Sequence, residues 1–384
     1  MAPAASDKRS ILLVTNDLGP RAGGIETFIL GLLAELPGKD IVLYTSSQLG
    51  DRAFDQELLE RLGVVVIRDP SKVLLPTPRV VRGVKKVMTK YQSEVIWFGA
   101  AAPLAFMSPA LRRAGAKKIV AISHGHEVWW SKVFPFNLAM RRIGNSVDVL
   151  TYLGSFTRDA MVQAVGKKVD LVQIAPGISI DHFQPGPKPT DLVAKYDLAG
   201  KPTLICVGRL VHRKGQDKLI EALPEIINQV PNVRLLLIGT GPYLKHLQDL
   251  VVKHQVKENV IFIGRLTYDE LPRHLLLGDV FAMPSRSRFF GLEVEGLGIV
   301  YLEASACGIP VIAGNSGGAP DAVKVGHTGY VVDGTNPKEI AEIAIKLLTQ
   351  PVLAKQLGAH GREWAVAQWS WKIWSRKFAD LLAL

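Results

Sequence analysis

The sequence predicts an α/β protein of two doubly wound, Rossmann-like domains, on three observations. Short apolar runs with no polar face, as expected of strands buried on both sides in a parallel sheet, alternate with helical segments. The series stops at a proline-rich break over residues 175–189 and then starts again. The 384 residues also exceed the usual extent of one hydrophobic core. The predicted domains span 1–178 and 190–368.

In the first series the strands fall at Ser10–Asn16, Ile41–Thr45, Val64–Arg68, Val95–Phe98, Lys118–Ser123 and Val147–Tyr152. The first is followed by the loop DLGPRAGG and by helical spacing over Ile25–Leu36. Strand, glycine loop and helix together present backbone N–H groups to a phosphate or sugar, and Gly23 and Gly24 permit close approach; the same glycines also suit a plain tight turn. The fifth strand runs into His124-Gly125-His126-Glu127. Ligands of open parallel sheets bind beyond the carboxyl ends of strands, so His124 either serves chemistry there or caps the loop. The pair lacks the i,i+4 spacing of helical metal ligands, and no metal is expected.

The second series runs Pro202–Gly208, Val233–Ile238, Val260–Ile263, Val280–Met283, Val311–Ala313 and Gly329–Val332. After its first strand stand Arg209 and Lys214, just before a helix over Gln216–Leu223, and two fixed cations at such a turn neutralise a diphosphate. The stretch Arg286–Pro310 holds two carboxylates, Glu295 and Glu303, separated by Gly296, Leu297, Gly298 and a short apolar run that reads as the start of a helix. Read as one helix, eight residues turn a side chain by roughly 800° and raise it about 12 Å, too far to share a proton. That separation suits an elongated anion such as a nucleoside diphosphate sugar, with phosphates against the helix start. Trp364–Leu384 is aromatic and helical, with a break at Trp369-Ser370-Trp371.

Composition bounds the partners. Apolar content of 48% with 21% charged residues describes a soluble globular protein. The longest apolar window, Val95–Met107, contains Pro103 and is shorter than the roughly 20 residues of a spanning helix. The N-terminus lacks the pattern of a secretory signal, so a cytoplasmic location is expected. Cys206 and Cys307 read as reduced core residues. A net charge of +11 favours an anionic partner. From Pro70 to Ser93 there is no carboxylate; on a helix there, Arg79, Arg82, Lys86 and Lys90 share a face opposite Val80, Val84 and Val87. Such a helix suits an anionic membrane surface, with Trp129, Trp130, Phe134 and Phe136 as an apolar edge. No nucleic-acid reading module accompanies the charge.

Several motifs recur in a familiar order and spacing: Gly23-Gly24-Ile25-Glu26, His124-Gly125, Pro176-Gly177-Ile178 with Phe183-Gln184-Pro185, Gly208-Arg209-Leu210 with Lys214-Gly215, Gly239-Thr240-Gly241-Pro242, Glu295 to Glu303, and Trp369-Ser370-Trp371. Together they resemble the retaining glycosyltransferases of family four, whose GT-B fold sets two Rossmann-like domains about a central cleft. The resemblance implies that the first domain binds acceptor, that the second binds nucleotide sugar, and that a terminal helix, 369–384, crosses back to the first domain. It implies roles residue by residue. Glu303 holds the ribose and Glu295 the donor-sugar hydroxyls; Gly296, Leu297 and Gly298 offer N–H groups. Arg209 and Lys214 bind the diphosphate, which Gly23 and Gly24 face; His124 contacts the sugar, the segment around Arg265 and Leu266 packs on the base, and Gly239 belongs to the donor site. The loop Arg286–Val294 departs from many relatives in being longer, basic and aromatic. Glu293 lies two residues before Glu295, and a shifted register makes it the sugar-binding carboxylate; the eight-residue spacing favours Glu295.

No D-x-D pair is present to hold a divalent metal, and no cofactor is expected. No matched carboxylate fills the nucleophile's place of a double displacement, which favours front-face transfer. Within the family, the sequence is similar to the phosphatidylinositol mannoside α-mannosyltransferases. That likeness implies GDP-mannose as donor, a mannosylated phosphatidylinositol as acceptor, and a peripheral position on the inner face of the cell membrane. The rival readings are transfer from a UDP-sugar to a soluble acceptor, a GT-B sugar-nucleotide epimerase, and a silent nucleotide-sugar binder.

Overall fold

The computed structural model describes residues 9–20, 23–125 and 127–383; His126 of the His-Gly-His-Glu run, Arg21 and Ala22 of the glycine loop, residues 1–8 and Leu384 lie outside them. Two compact units form, Met1–Gly177 with Trp371–Leu384, and Ile178–Ser370.

The first unit is built on seven strands: β1 (Ile11–Val14), β2 (Ile41–Ser46), β3 (Val65–Asp69), β4 (Val95–Phe98), β5 (Lys118–Ala121), β6 (Val149–Tyr152) and β7 (Asp170–Gln173). They pair in parallel in the order β3-β2-β1-β4-β5-β6-β7, which puts the change of winding direction between β1 and β4. The strand β7 is absent from the sequence reading. Its residues, Asp-Leu-Val-Gln, are partly exposed on the sheet edge and carry little apolar signal. Alternate residues of β1 face opposite cores. Leu12 and Val14 pack with Val80, Val84 and Val87 of the helix Pro78–Tyr91, whereas Ile11 and Leu13 pack with Ile29, Leu32 and Leu33 of the helix Gly24–Glu35. The terminal helix Trp371–Leu382 belongs to this second face. Its Phe378 ring meets Trp97 at 4.8 Å, and its Trp371 ring lies over Gly31, where a Cβ would come within 2.3 Å.

The second unit has six parallel strands: β8 (Thr203–Val207), β9 (Arg234–Ile238), β10 (Val260–Gly264), β11 (Val280–Met283), β12 (Val311–Gly314) and β13 (Gly329–Val332). Their order is β10-β9-β8-β11-β12-β13, with the winding change between β8 and β11. Residues 178–189, read as a linker, are ordered as part of this unit. Phe183 is fully buried, and Arg362 Nη1 donates to the carbonyls of Ile180 (3.0 Å), Phe183 (2.7 Å) and Ala306 (3.1 Å). The helix predicted to stop at Leu223 continues through Pro224 to Gln229.

The largest correction concerns Glu295. The helix of this region is Ile299–Ala306, so Glu303 is helical and Glu295 stands in the loop before it. Gly298 breaks the continuity: it takes φ 76°, and a Cβ there would lie 2.4 Å from the Tyr301 ring. The two carboxylates are thus separated by a turn and one helical turn, not by eight residues of helix. Cys206 and Cys307 are buried and unpaired with each other, and burial pushes both thiols up to about 12.

Candidate active site

In the second unit the site grows from the carboxyl ends of β8 and β11, where an open parallel sheet places ligands. After β8 the chain makes a short 3-10 turn, His212–Lys214, and Gly215 at φ 77° starts the helix Gln216–Gln229. Only glycine fits there, because a Cβ would meet the Pro284 carbonyl oxygen at 2.0 Å. The turn holds Arg213 and Lys214 toward one carboxylate. Glu295 Oε2 accepts from Lys214 Nζ at 2.8 Å and from Arg213 Nη1 at 2.9 Å. Lys214 and Glu295 are both buried, so this pairing is stronger than a surface ion pair.

Glu295 is fixed through its backbone as well. Its N–H donates to Ser316 Oγ at 3.1 Å, and its carbonyl accepts from Gly318 N–H at 2.8 Å. Just beyond it, the N–H groups of Gly296, Leu297 and Gly298 find no protein acceptor among the described residues. Tyr301 anchors the helix that follows, donating to the Met283 carbonyl at 2.7 Å and lying 3.0 Å from Ser285 Oγ. Arg213 and Lys214 share the single Glu295 carboxylate, which leaves one positive charge in excess beside a run of unengaged N–H groups at a helix start, an arrangement able to receive an anion.

A second layer supports the turn. Buried Arg286 donates from Nη2 to Asp217 Oδ2 at 2.7 Å and from Nε to His212 Nδ1 at 3.2 Å, while its own N–H bonds the Arg213 carbonyl at 2.8 Å. Burial, and then the Arg286 charge, lower the His212 pKa, keeping the imidazole a neutral acceptor. The loop before Glu295 is thereby tied to the turn that carries its two partners. Arg213, Arg286, Asp217 and His212 are given no site role in the sequence reading. The HRK run after β8 was a signal for Arg213; Asp217 and Arg286 are 69 positions apart, and no local pattern links them.

The remaining residues of this unit take varied positions. Arg209 is exposed on the same loop, and Arg265 and Leu266 follow β10, with Arg265 exposed. Gly239 has a packing reason of its own: at φ 132° a Cβ would meet the Gly208 carbonyl oxygen at 2.1 Å. Glu303 is half-buried and, among the described residues, has no paired cation; burial pushes its carboxyl up to about 7. Its charge is felt at Tyr268 in the loop after β10. Glu293 pairs with Arg288 (3.2 Å) and lies 3.6 Å from Arg213 Nε, whereas Glu295 takes the closer Arg213 bond and Lys214 as well.

In the first unit, His124 follows β5. Its Nε2 bonds the Gly99 carbonyl at 2.5 Å, which requires the proton on Nε2, and its N–H donates to Glu127 Oε2 at 3.0 Å. Its ring meets Phe28 edge-on at 5.5 Å, which brings His124 to the helix that Gly23 and Gly24 begin. Gly23 N–H donates to Glu26 Oε2 at 2.9 Å, and a Cβ on either glycine would meet nothing within 4 Å. Open space, not packing, is what these two glycines provide.

The helix Pro78–Tyr91 exposes Arg79, Arg82, Lys86 and Lys90 and buries Val80, Val84 and Val87. Arg79 differs from the others because it binds buried Asp69 through two bonds, of 2.8 and 3.1 Å. Burial alone would raise Asp69; bonds from Arg79, Ser71 and Tyr44 overcome it and hold the carboxyl well below the usual range. Trp129, Trp130 and Phe136 form one aromatic cluster, with ring centres 4.7 to 5.7 Å apart.

Two doubly wound units, one ending in a cationic turn and a free helix start, define the class of glycosyltransferases with the GT-B fold. The chain belongs to glycosyltransferase family four: the profile described as Glycosyltransferase Family 4 matches residues 22–182, and that described as Glycosyl transferases group 1 matches 191–364. It is 44% identical over 375 residues to a Mycolicibacterium smegmatis protein, covering 97% of this chain and 98% of the relative. That protein is named GDP-mannose-dependent alpha-(1-6)-phosphatidylinositol monomannoside mannosyltransferase. A Corynebacterium glutamicum relative, named for the monoacylated form of the same acceptor, is 41% identical over 381 residues, with 98% of each chain covered. Among solved structures, Anabaena HepE in complex with UDP superposes with a TM-score of 0.81 at 20% identity, over 97% of this chain and 99% of that one, a likeness of fold.

Proposed function

We propose that the protein transfers α-mannose from GDP-mannose to a phosphatidylinositol mannoside, with retention and without a divalent metal. The observation that supports this most is the extent of the likeness to named mannosyltransferases, which runs through 97% of the chain and so includes the first unit, where acceptor choice resides. In this reading the second unit binds nucleotide sugar and the first binds the lipid headgroup, on the inner face of the cell membrane. Among the described residues no helix is long and apolar enough to cross a membrane.

The chemistry follows from charge. Breaking the anomeric C–O bond leaves the electron pair on the β-phosphate, and Lys214, Arg209 and the N–H groups of residues 296–298 stabilise it there. The acceptor hydroxyl forms the new bond on the face the phosphate leaves, through an oxocarbenium-like state, and its proton passes to the departing phosphate oxygen. Glu295 orients donor hydroxyls while Arg213 and Lys214 hold its carboxylate still. Glu303 accepts from the ribose, and His124 contacts the sugar.

The test is transfer of label from GDP-mannose, UDP-glucose and UDP-N-acetylglucosamine into organic-extractable product, with phosphatidylinositol monomannoside as acceptor and EDTA present. Label moving only from GDP-mannose is expected. Label from a UDP-sugar alone, or a requirement for added metal, overturns the corresponding part of the proposal.

A further inference from the structure

Between Arg286 and Glu295 the chain makes a short hairpin whose tip has no part in the proposed transfer. Arg288 and Glu293 exchange backbone bonds at 2.8 and 3.2 Å, and Arg288 Nη1 pairs with Glu293 Oε2 at 3.2 Å. At the tip Phe289 is 61% and Phe290 fully exposed, followed by Leu292 at 42%. Both phenylalanines take left-handed backbone, with φ of 49° and 54°, a conformation bulky residues rarely adopt. A soluble surface gains nothing by holding two adjacent Phe side chains outward on such a backbone, and glycine would serve the turn better. The tip is too small for a stable protein interface, which needs about 800 Å² per partner. The Arg288 guanidinium, paired with Glu293, lies 4.7 Å from the Phe289 ring centre, so an arginine that can take a lipid phosphate in exchange for its partner carboxylate stands immediately behind the apolar tip.

An apolar tip backed by a cation matches the layering of an anionic bilayer, with acyl chains below and phosphates above. We propose that the Arg288–Glu293 hairpin is a lipid-contacting element of the second unit, Phe289 and Phe290 entering the interface of an anionic bilayer while Arg288 meets its phosphates. This deepens the lipid-acceptor reading on which it rests. Glu293, at the base of the hairpin, also lies 3.6 Å from Arg213, which bonds Glu295, so the hairpin and that carboxylate share one arginine.

Two variants of the full chain test it on vesicles of phosphatidylinositol and phosphatidylcholine. Phe290→Trp is expected to add fluorescence that shifts to the blue on vesicle addition and is quenched by brominated phosphatidylcholine. The double change Phe289→Gly with Phe290→Gly relieves the backbone, so the protein should melt no lower than wild type while its vesicle affinity falls roughly tenfold or more. The KM for lipid acceptor should rise with kcat little changed. An unshifted, unquenched signal from the introduced indole, or unaltered vesicle binding by the double variant, overturns the proposal. So does lipid-free self-association that the wild type shows and the double variant loses. Insertion without mannosyl transfer would keep the hairpin assignment and remove the lipid-acceptor reading.

Discussion

Glu295 is held by Lys214 and Arg213 together, and this pairing sets what single substitutions do. Lys214→Ala and Glu295→Ala are each expected to abolish transfer while circular dichroism stays that of a folded protein. Breaking a buried ion pair costs on the order of 3 kcal/mol, less than the stability of a typical domain. Turnover retained in either variant would contradict the assignment. Glu303 makes a pH-dependent prediction. Its folded pKa, about 7, lies above its ordinary 4.5, so the folded state holds an extra proton between those values and stability falls as pH rises through that window. Glu303→Gln should therefore raise the melting temperature relative to wild type at pH 8 but not at pH 4. It should also remove a rise in GDP affinity that the wild type shows from pH 6 to 8, as the carboxylate ionises to accept ribose hydroxyls. A parallel pH dependence in variant and wild type would count against the role. Lys214, Glu295 and the glycines beside them were legible because motif spacing marks them; Arg213 was passed over because that pattern pairs Arg209 with Lys214. The Arg286–Asp217–His212 support was not legible, since burial and distant partners decide it.

At the scale of elements, the basic helix separates into two kinds of cation. Arg82 and Lys86 are exposed, whereas Arg79 is committed to Asp69. Reversing Arg82 and Lys86 to Glu should weaken binding to anionic vesicles, by about 1 kcal/mol for each cation lost, with little change in melting temperature. Arg79→Ala should instead lower the melting temperature, because it leaves the buried Asp69 carboxylate without its cation, held by Ser71 and Tyr44 alone. Equal effects of all three on vesicle binding alone would contradict this division. The terminal helix is held by packing. Gly31→Val should destabilise the first unit by about 2 kcal/mol in urea, since the new side chain collides with the Trp371 ring; an unchanged midpoint would show that the helix is not seated there. The break at Trp369-Ser370 was readable from composition. The helix after the glycines starts where its apolar run was read, at Ile299; what was misread is the continuous helical geometry from Glu295 to Glu303, which the left-handed turn at Gly298 interrupts.

Across the whole molecule, the two-domain α/β plan was readable because fully buried parallel strands leave unbroken apolar runs; Val95–Phe98, Val280–Met283 and Gly329–Val332 fall where the sequence puts them. Edge strand β7 escaped for the converse reason, and the ordered 178–189 segment shows that proline content marks a change of structure without making a loose tether. The charge of +11 acts across these scales, favouring an anionic partner. The most direct measurement is mass and anomeric NMR analysis of the lipid formed from GDP-mannose and phosphatidylinositol monomannoside in EDTA. The account predicts one added hexose, in α linkage, without metal. A β-linked product, or nucleotide released with no hexose on the lipid, would contradict it.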